Sequence, residues 1–163
     1  MTFFVADNHF NHANIIMYCK RPFASVSHMN RVMIDRWNSV VYQTDTVYHL
    51  GDLGFGSREV ITNLLNGLNG NIILIKGNHD KLPKGFWERN GVDFHKHPIP
   101  YRDFILSHEP IEDVRFNVHG HTHNNPDTPT DRGHLCISVE NINYIPLRED
   151  ELIERIEERR KDV

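Results

Sequence analysis

Apolar residues gather in this chain in short runs that stop abruptly at a glycine, an aspartate or a histidine. Phe3-Phe4-Val5-Ala6 ends at Asp7 and His9, and Val47-Tyr48-His49-Leu50 at Gly51-Asp52. Ile73-Leu74-Ile75-Lys76 ends at Gly77-Asn78-His79-Asp80, Phe104-Ile105-Leu106-Ser107 at His108, and Phe116-Asn117-Val118-His119 at Gly120-His121-Thr122-His123. Short, almost unbroken apolar runs predict strands covered on both faces. Strands are expected over Thr2 to Ala6, Thr46 to Leu50 and Asn71 to Lys76. Helical spacing lies between them. Met29, Val32, Met33, Trp37 and Val40 form one apolar stripe with Ser27 as its expected N-cap, and Val60, Ile61, Leu64, Leu65 and Leu68 form another with Ser57 as its cap.

That alternation argues for an α/β fold with parallel strands joined by helical crossovers. Asn14 to Tyr18 predicts a helical turn that Pro22 helps to end, and Phe86 to Arg89 a short helix stopped by Asn90-Gly91. Val92 to His95 and Tyr101 to Ser107 predict strands around a Pro98/Pro100 turn, and Arg115 to His119 a further strand. Leu135 to Val139 and Ile142 to Ile145 predict a terminal hairpin, followed by a charged helix over Glu149 to Arg160. Asn124 to Gly133, with two prolines and two aspartates, reads as a loop bordering the strand ends.

A length of 163 residues suits one domain, 1–163, and is short for two. With 39% hydrophobic and 25% charged residues, the composition is that of a globular protein. The net charge of -4 provides no global field for a nucleic-acid backbone, so any polyanion must be held locally. Cys19 and Cys136 lie outside any Cys-x-x-Cys spacing, which argues against a cysteine zinc site or a disulfide framework. Together with the lack of a spanning apolar run or an export signal, this predicts a cytoplasmic protein.

The 12 histidines change the picture most. A single histidine is ordinarily a surface or hydrogen-bonded core residue, but several here stand at strand ends beside carboxylates. Asp7 and His9, at i and i+2, project to the same side if the backbone stays extended. His95 and His97 share that spacing but lack the glycine-strand context, and read as structural or surface residues. The strand ends therefore offer Asp7, His9, Asp52, Asn78, His108, His121 and His123, a nitrogen and oxygen set suited to first-row divalent metals. Seven ligands exceed the needs of one catalytic ion and suit two ions sharing a carboxylate. Two metals about 3.5–4 Å apart form a clamp for in-line displacement at phosphorus, with hydroxide as nucleophile. His79 stands beside Asn78 as the candidate general acid for the leaving oxygen, with Asp80 as its partner.

Asp7-Asn8-His9, Gly51-Asp52, Gly77-Asn78-His79-Asp80, His108 and Gly120-His121-Thr122-His123 together resemble the five-block signature of the calcineurin-like metallophosphoesterases. The resemblance implies a four-layer αββα sandwich with two mixed β-sheets and a dinuclear centre binding manganese, iron or zinc. It places Asp7, His9 and His123 on the first metal, Asn78, His108 and His121 on the second, Asp52 between them, and His79, oriented by Asp80, as catalytic acid. Leu53-Gly54-Phe55 replaces the Asp-Arg-Gly continuation of the protein phosphatases, and Asp80 stands where they carry Glu. The chain is thus similar to the small single-domain bacterial and phage type.

The implied substrate is a small phosphodiester or phosphomonoester. A metal-dependent nuclease acting on ends or single strands is the enzymatic rival, and would draw on a local patch of Lys20, Arg21, Lys81, Lys84 and Arg132. Lys20 and Arg21 otherwise read as solvated charges. A non-catalytic binding or scaffold protein of the same fold is a third reading, disfavoured because every block is intact.

Overall fold

The computed structural model of the chain describes residues 1–125 and 133–161. Four parallel strands, β1 (Thr2–Val5), β2 (Thr46–His49), β3 (Asn71–Ile75) and β4 (Asp93–His95), build most of the first sheet. A short final strand, β9 (Leu147–Arg148), adds antiparallel to β1, giving the order β4-β3-β2-β1-β9. The second sheet has the order β5-β6-β7-β8, from β5 (Ile99–Tyr101), β6 (Phe104–Ser107), β7 (Asn117–His119) and β8 (His134–Cys136). β5 and β6 are antiparallel, while β6, β7 and β8 run parallel. The architecture is the expected α/β fold with two mixed sheets.

Side-chain alternation on the strands decides what each face meets. Phe4 and Tyr48 meet Tyr101 of the second sheet at ring separations of 5.2 Å and 5.1 Å, which fixes the inner face. His49 points to the opposite face and lies under Trp37 of α2 (Val26–Val40). Met29, Met33 and Trp37 recur at helical spacing and are all buried, and the Trp37 indole donates to the Asn69 carbonyl at 2.9 Å. Helix α3 (Arg58–Asn66) starts at its Ser57 cap and buries Ile61, Leu64 and Leu65. Val60 is not part of that stripe. It is 41% exposed and covers the Gly56 turn, where an added Cβ would come 2.6 Å from its side chain.

The short helices α1 (Ile15–Tyr18) and α4 (Lys84–Arg89) lie where the turn chemistry places them. The last helix, α5 (Glu149–Lys161), buries Leu152 and Ile156, with acidic residues in its first turn and basic ones in its last, the arrangement its dipole favours. Arg160 carries it to the second sheet, pairing with Asp103 at 2.9 Å and lying over the Phe116 ring. No helix among the described residues is long and apolar enough to cross a membrane.

Three local expectations are corrected. Helix α2 is capped by Ser25, whose extended backbone lets its hydroxyl accept from His28 N at 3.1 Å, and Ser27 lies inside the first turn. Tyr101 to Ser107 is two strands: Arg102, with φ 51°, turns the chain between β5 and β6, and Pro100 sits within β5, at the sheet edge where no ladder donor is needed. The terminal hairpin is absent. Val139–Ile142 is a 3₁₀ turn, and the left-handed Asn143 and Tyr144 then carry the chain across to β9 in the other sheet. Of the Asn124 to Gly133 loop, residues 126–132 lie outside the described residues.

The corrected cap is directly testable. Ser25→Ala should cost about 1 kcal/mol in urea unfolding, and Ser27→Ala close to nothing. Equal losses would contradict the assignment.

Candidate metal centre

Every candidate donor enters from the C-terminal end of a parallel strand. Asp7 and His9 follow β1, Asp52 follows β2, Asn78 β3, His108 β6, and His121 and His123 β7. The turns are sharp. Asp7 (φ 58°), His9 (49°), Asp52 (56°), His121 (66°) and His123 (52°) all adopt the left-handed region. Such residues cost on the order of 1 kcal/mol or more each and persist where their surroundings hold them. The extended reading of Asp7 and His9 is therefore corrected. Asn8, between them, turns its amide inward to His49 Nε2 at 2.9 Å, while His9 Nε2 still comes within 3.9 Å of Asp7 Oδ1.

Glycines let the loops close on one another. A Cβ on Gly77 would lie 2.2 Å from Asp52 Oδ1, and one on Gly120 2.4 Å from Asp7 Oδ2. Backbone bonds join the same loops: Asp7 N donates to Gly51 O, His9 N to Asp52 O and Gly120 N to His108 O.

The polar atoms then divide into those that are satisfied and those that are not. Asp7 Oδ2 accepts from His121 N at 2.8 Å and from the Ser138 hydroxyl at 2.6 Å, whereas Asp7 Oδ1 is buried without a partner. Both His9 ring nitrogens are likewise buried and unpartnered. His108 Nδ1 lies 2.8 Å from the Leu50 carbonyl, which can only accept, so Nε2 is left with its lone pair toward the site. Asp52 Oδ1 accepts from His79 N at 2.8 Å, and Asp52 Oδ2 lies 3.4 Å from His9 Nε2 and 3.5 Å from His108 Nε2. His123 Nε2 is 4.0 Å from Asp7 Oδ1, and His121 Nδ1 is 3.2 Å from His108 Nε2. Native proteins rarely leave such atoms orphaned. Asp7, His9 and His123 form one group within ion-binding reach, and Asp7, Asp52 and His108 another. These residues fit divalent metal.

Electrostatics agree. Burial raises the Asp7 carboxyl and drives His9 far down, to a neutral imidazole. Burial also pulls at His123, but hydrogen bonds to Cys19 and Glu140 and the charge of Asp7 outweigh it and lift the imidazole to about 10. The sign for binding follows. Metal needs the neutral ring, so below about pH 10 each ion entering beside His123 displaces a proton. Calorimetric Mn²⁺ titration at pH 8 in buffers of different ionisation enthalpy should show release of about one proton there. Binding that is independent of buffer would contradict it.

Two expected residues stand apart. Asn78 is exposed, and its amide donates to Glu109 at 3.0 Å instead of facing the other donors. Asp80 does not orient the His79 ring. Its carboxylate accepts from the backbone N–H groups of Asp52 (2.7 Å), Gly77 (2.9 Å) and Leu53 (3.1 Å), and so ties two loops together. Burial lifts it to about 6. His79 itself is exposed at the rim, its ring 5.5 Å from His9 and 4.9 Å from Phe55.

Of the residues expected to form a basic patch, one is placed differently. Arg21 is buried, not solvated, Lys84 pairs with Glu88 at 3.4 Å, and Arg132 lies outside the described residues. His95 pairs with Asp93 at 3.1 Å on edge strand β4. Sequence reasoning missed Ser138, Glu140 and the Leu50 carbonyl. Each supports a ligand from a distant part of the chain, and no local pattern marks it.

The calcineurin-like phosphoesterase model matches residues 2–162. An uncharacterized protein of Methanocaldococcus jannaschii is 40% identical over 169 residues, covering 95% of this chain and 90% of that protein. The gene 66 protein of Mycobacterium phage L5 is 27% identical over 160 residues, covering 75% and 77%. A crystal structure of a protein of unknown function from Aquifex aeolicus matches with a TM-score of 0.75 and 26% identity, over 96% of this chain and 99% of that one. The Pseudomonas putida nuclease MPE shares the fold, with a TM-score of 0.54 and 22% identity over 75% of this chain and 61% of its own. With the donors converging at the strand ends and the family model spanning nearly all of it, the chain belongs to the calcineurin-like phosphoesterase family.

Proposed function

We propose that this protein hydrolyses a small phosphodiester or phosphomonoester at a two-metal centre held by Asp7, His9, Asp52, Asn78, His108, His121 and His123. One observation carries the reading: a single Asp52 oxygen lies nearly equidistant, at 3.4 Å and 3.5 Å, from imidazoles delivered by opposite sheets. That is where a shared carboxylate belongs. Manganese, iron and zinc all suit these donors. Bound there, two divalent ions would stabilise charge on the phosphoryl oxygens and supply an activated water.

The chain's own groups do the rest. Asp7 and Asp52 fix the negative charge of the site, and the Leu50 carbonyl holds His108 in one tautomer. His79 gives its proton to the leaving oxygen. Its backbone N–H is bonded to Asp52, which keeps the proton donor in register with the centre. Asn78 has to release Glu109 to join the ligands.

A panel of diesters in Mn²⁺, with leaving groups from p-nitrophenolate to a simple alkoxide, tests this. Wild type should turn over the panel. His79→Ala should slow alkoxide departure about 10²–10⁴-fold and p-nitrophenolate departure far less, because a weakly basic leaving group needs little protonation. An inert wild type would sink the reading, and equal losses on both leaving groups would remove His79 from its role.

A second reading, a nuclease on ends or single strands, is favoured by a series of rings beside the centre. Tyr18, 68% exposed, lies 6.2 Å from His12, which packs on Phe55 at 4.4 Å and so leads to His79. Rings in such a row can stack bases. Cleavage of single-stranded DNA that falls steeply with salt would favour this reading over the small-ester one.

A further inference from the structure

Glu140 and Arg21 form a buried pair that no catalytic role uses. Their side chains are 3% and 0% exposed, and Arg21 Nη2 lies 2.7 Å from Glu140 Oε1, with Nε donating to the same oxygen at 2.8 Å. Both Glu140 oxygens lie 3.1 Å from His123 Nδ1. Nη1 also donates to Asn8 O and Nη2 to Asp7 O, each at 2.7 Å, and Nη1 reaches the Met29 sulfur at 3.5 Å. One guanidinium thus ties the β1 loop to the carboxylate behind His123. A lysine, with one compact charge, cannot span those acceptors.

The segment carrying Glu140 adds two more contacts. It begins with Ser138, whose hydroxyl donates to Asp7 Oδ2 at 2.6 Å, and ends with Asn141, whose amide donates to the His123 carbonyl at 2.8 Å. Val139 N anchors it by donating to Ala6 O at 3.0 Å. Ser138, Glu140 and Asn141 thus reach Asp7 and His123. On the other side of the centre, His108 rests on the Leu50 carbonyl and receives nothing from this segment among the bonds described.

We infer that Glu140, braced by Arg21, is a positioning residue that sets the affinity for the ion held by His123 with Asp7 and His9 far more than that for the ion held by Asn78, His108 and His121, with Asp52 shared between them. This rests on the two-metal reading above. A carboxylate can only accept, so His123 keeps its proton on Nδ1 and presents the Nε2 lone pair inward. A carboxylate behind a ligating imidazole also makes it a stronger donor, and losing such a partner typically weakens metal affinity 10–100-fold.

The test is direct Mn²⁺ and Co²⁺ binding by wild type, Glu140→Gln, Glu140→Asp and Ser138→Ala, read as stoichiometry and stepwise affinity without reference to turnover. Glu140→Gln is the main variant because glutamine keeps the volume and an acceptor for Arg21. Circular dichroism and unfolding of the metal-free variants report whether the fold survives. In Glu140→Gln one Mn²⁺ equivalent should weaken about 10–100-fold while the other stays within about threefold. Glu140→Asp should recover part of the loss, and Ser138→Ala should weaken the same equivalent to a smaller extent. For Glu140→Gln, activity should return toward wild type at saturating Mn²⁺, an increase in the metal requirement and not a loss of turnover.

Equal weakening of both equivalents, or unchanged stepwise affinities, would overturn the inference. Wild type that binds two equivalents alongside an unchanged Glu140→Gln removes this inference and leaves the two-metal reading standing. Wild type that binds none removes both.

Discussion

Asp52→Asn should keep the fold, retain at most one tight Mn²⁺ equivalent, and hydrolyse diesters about a thousandfold or more slower than wild type. Asparagine is isosteric and still offers an oxygen to His79 N, so the loop bond at 2.8 Å survives. The negative charge between His9 and His108 does not. The stability prediction has the opposite sign. Asp52 is among the charges that raise both Asp7 and Asp80, so like charges crowd the metal-free centre. Removing one should leave the metal-free variant as stable as wild type or more so, while Mn²⁺ should raise the wild-type Tm far more than the variant's. Thermal scans with and without Mn²⁺, set beside metal analysis, check all three statements. A variant with two tight equivalents and normal turnover would remove Asp52 from the centre.

Gly77→Ala should be as damaging through sterics alone. The new Cβ would meet Asp52 Oδ1 at 2.2 Å, Asp52 N at 2.3 Å and Asp52 Cγ at 2.9 Å, and the backbone nitrogen cannot swing aside as a flexible side chain would. A Cβ on the neighbouring Gly51 would in turn lie 2.7 Å from Gly77 Cα and 2.8 Å from Gly77 N, so both sides of this loop contact need glycine. Overpacking of this kind costs about 1–3 kcal/mol or more, and here the relaxation has to displace the residue between the two candidate ions. Loss of metal binding should therefore accompany the loss of stability. Gly85→Ala is the control. Gly85 lies in α4, the nearest atom to its added Cβ is the Arg89 guanidinium end at 3.3 Å, and alanine there should be neutral or stabilising by up to about 1 kcal/mol. Equal effects at the two positions would show that the loop contact is not what matters.

Both predictions depend on a site that was partly readable before any coordinates. The buried runs, their glycine stops and the Asp and His that follow identify the strands and six of the converging donors, because strand burial and the need to turn at a strand end are local demands on sequence. Arg21 shows where that reading fails. An arginine in a polar stretch looks solvated until Glu140, 119 residues away, is folded against it. Asp80 fails in the same manner, since its real partners are backbone N–H groups, which every sequence has and no sequence pattern marks.

By itself, then, the sequence determined the alternating strands and helices up to β4, the donor types at the strand ends, and the family they resemble. Only the tertiary structure decided which atoms face inward, that Asp52 stands between two imidazoles from different sheets, and that β9 crosses to join β1 instead of closing a hairpin. The division has a physical cause. Propensity and burial pattern act over a few neighbouring residues, whereas the direction of a donor is set by left-handed turns, glycine contacts and buried hydrogen bonds between segments that meet only once the sheets have packed.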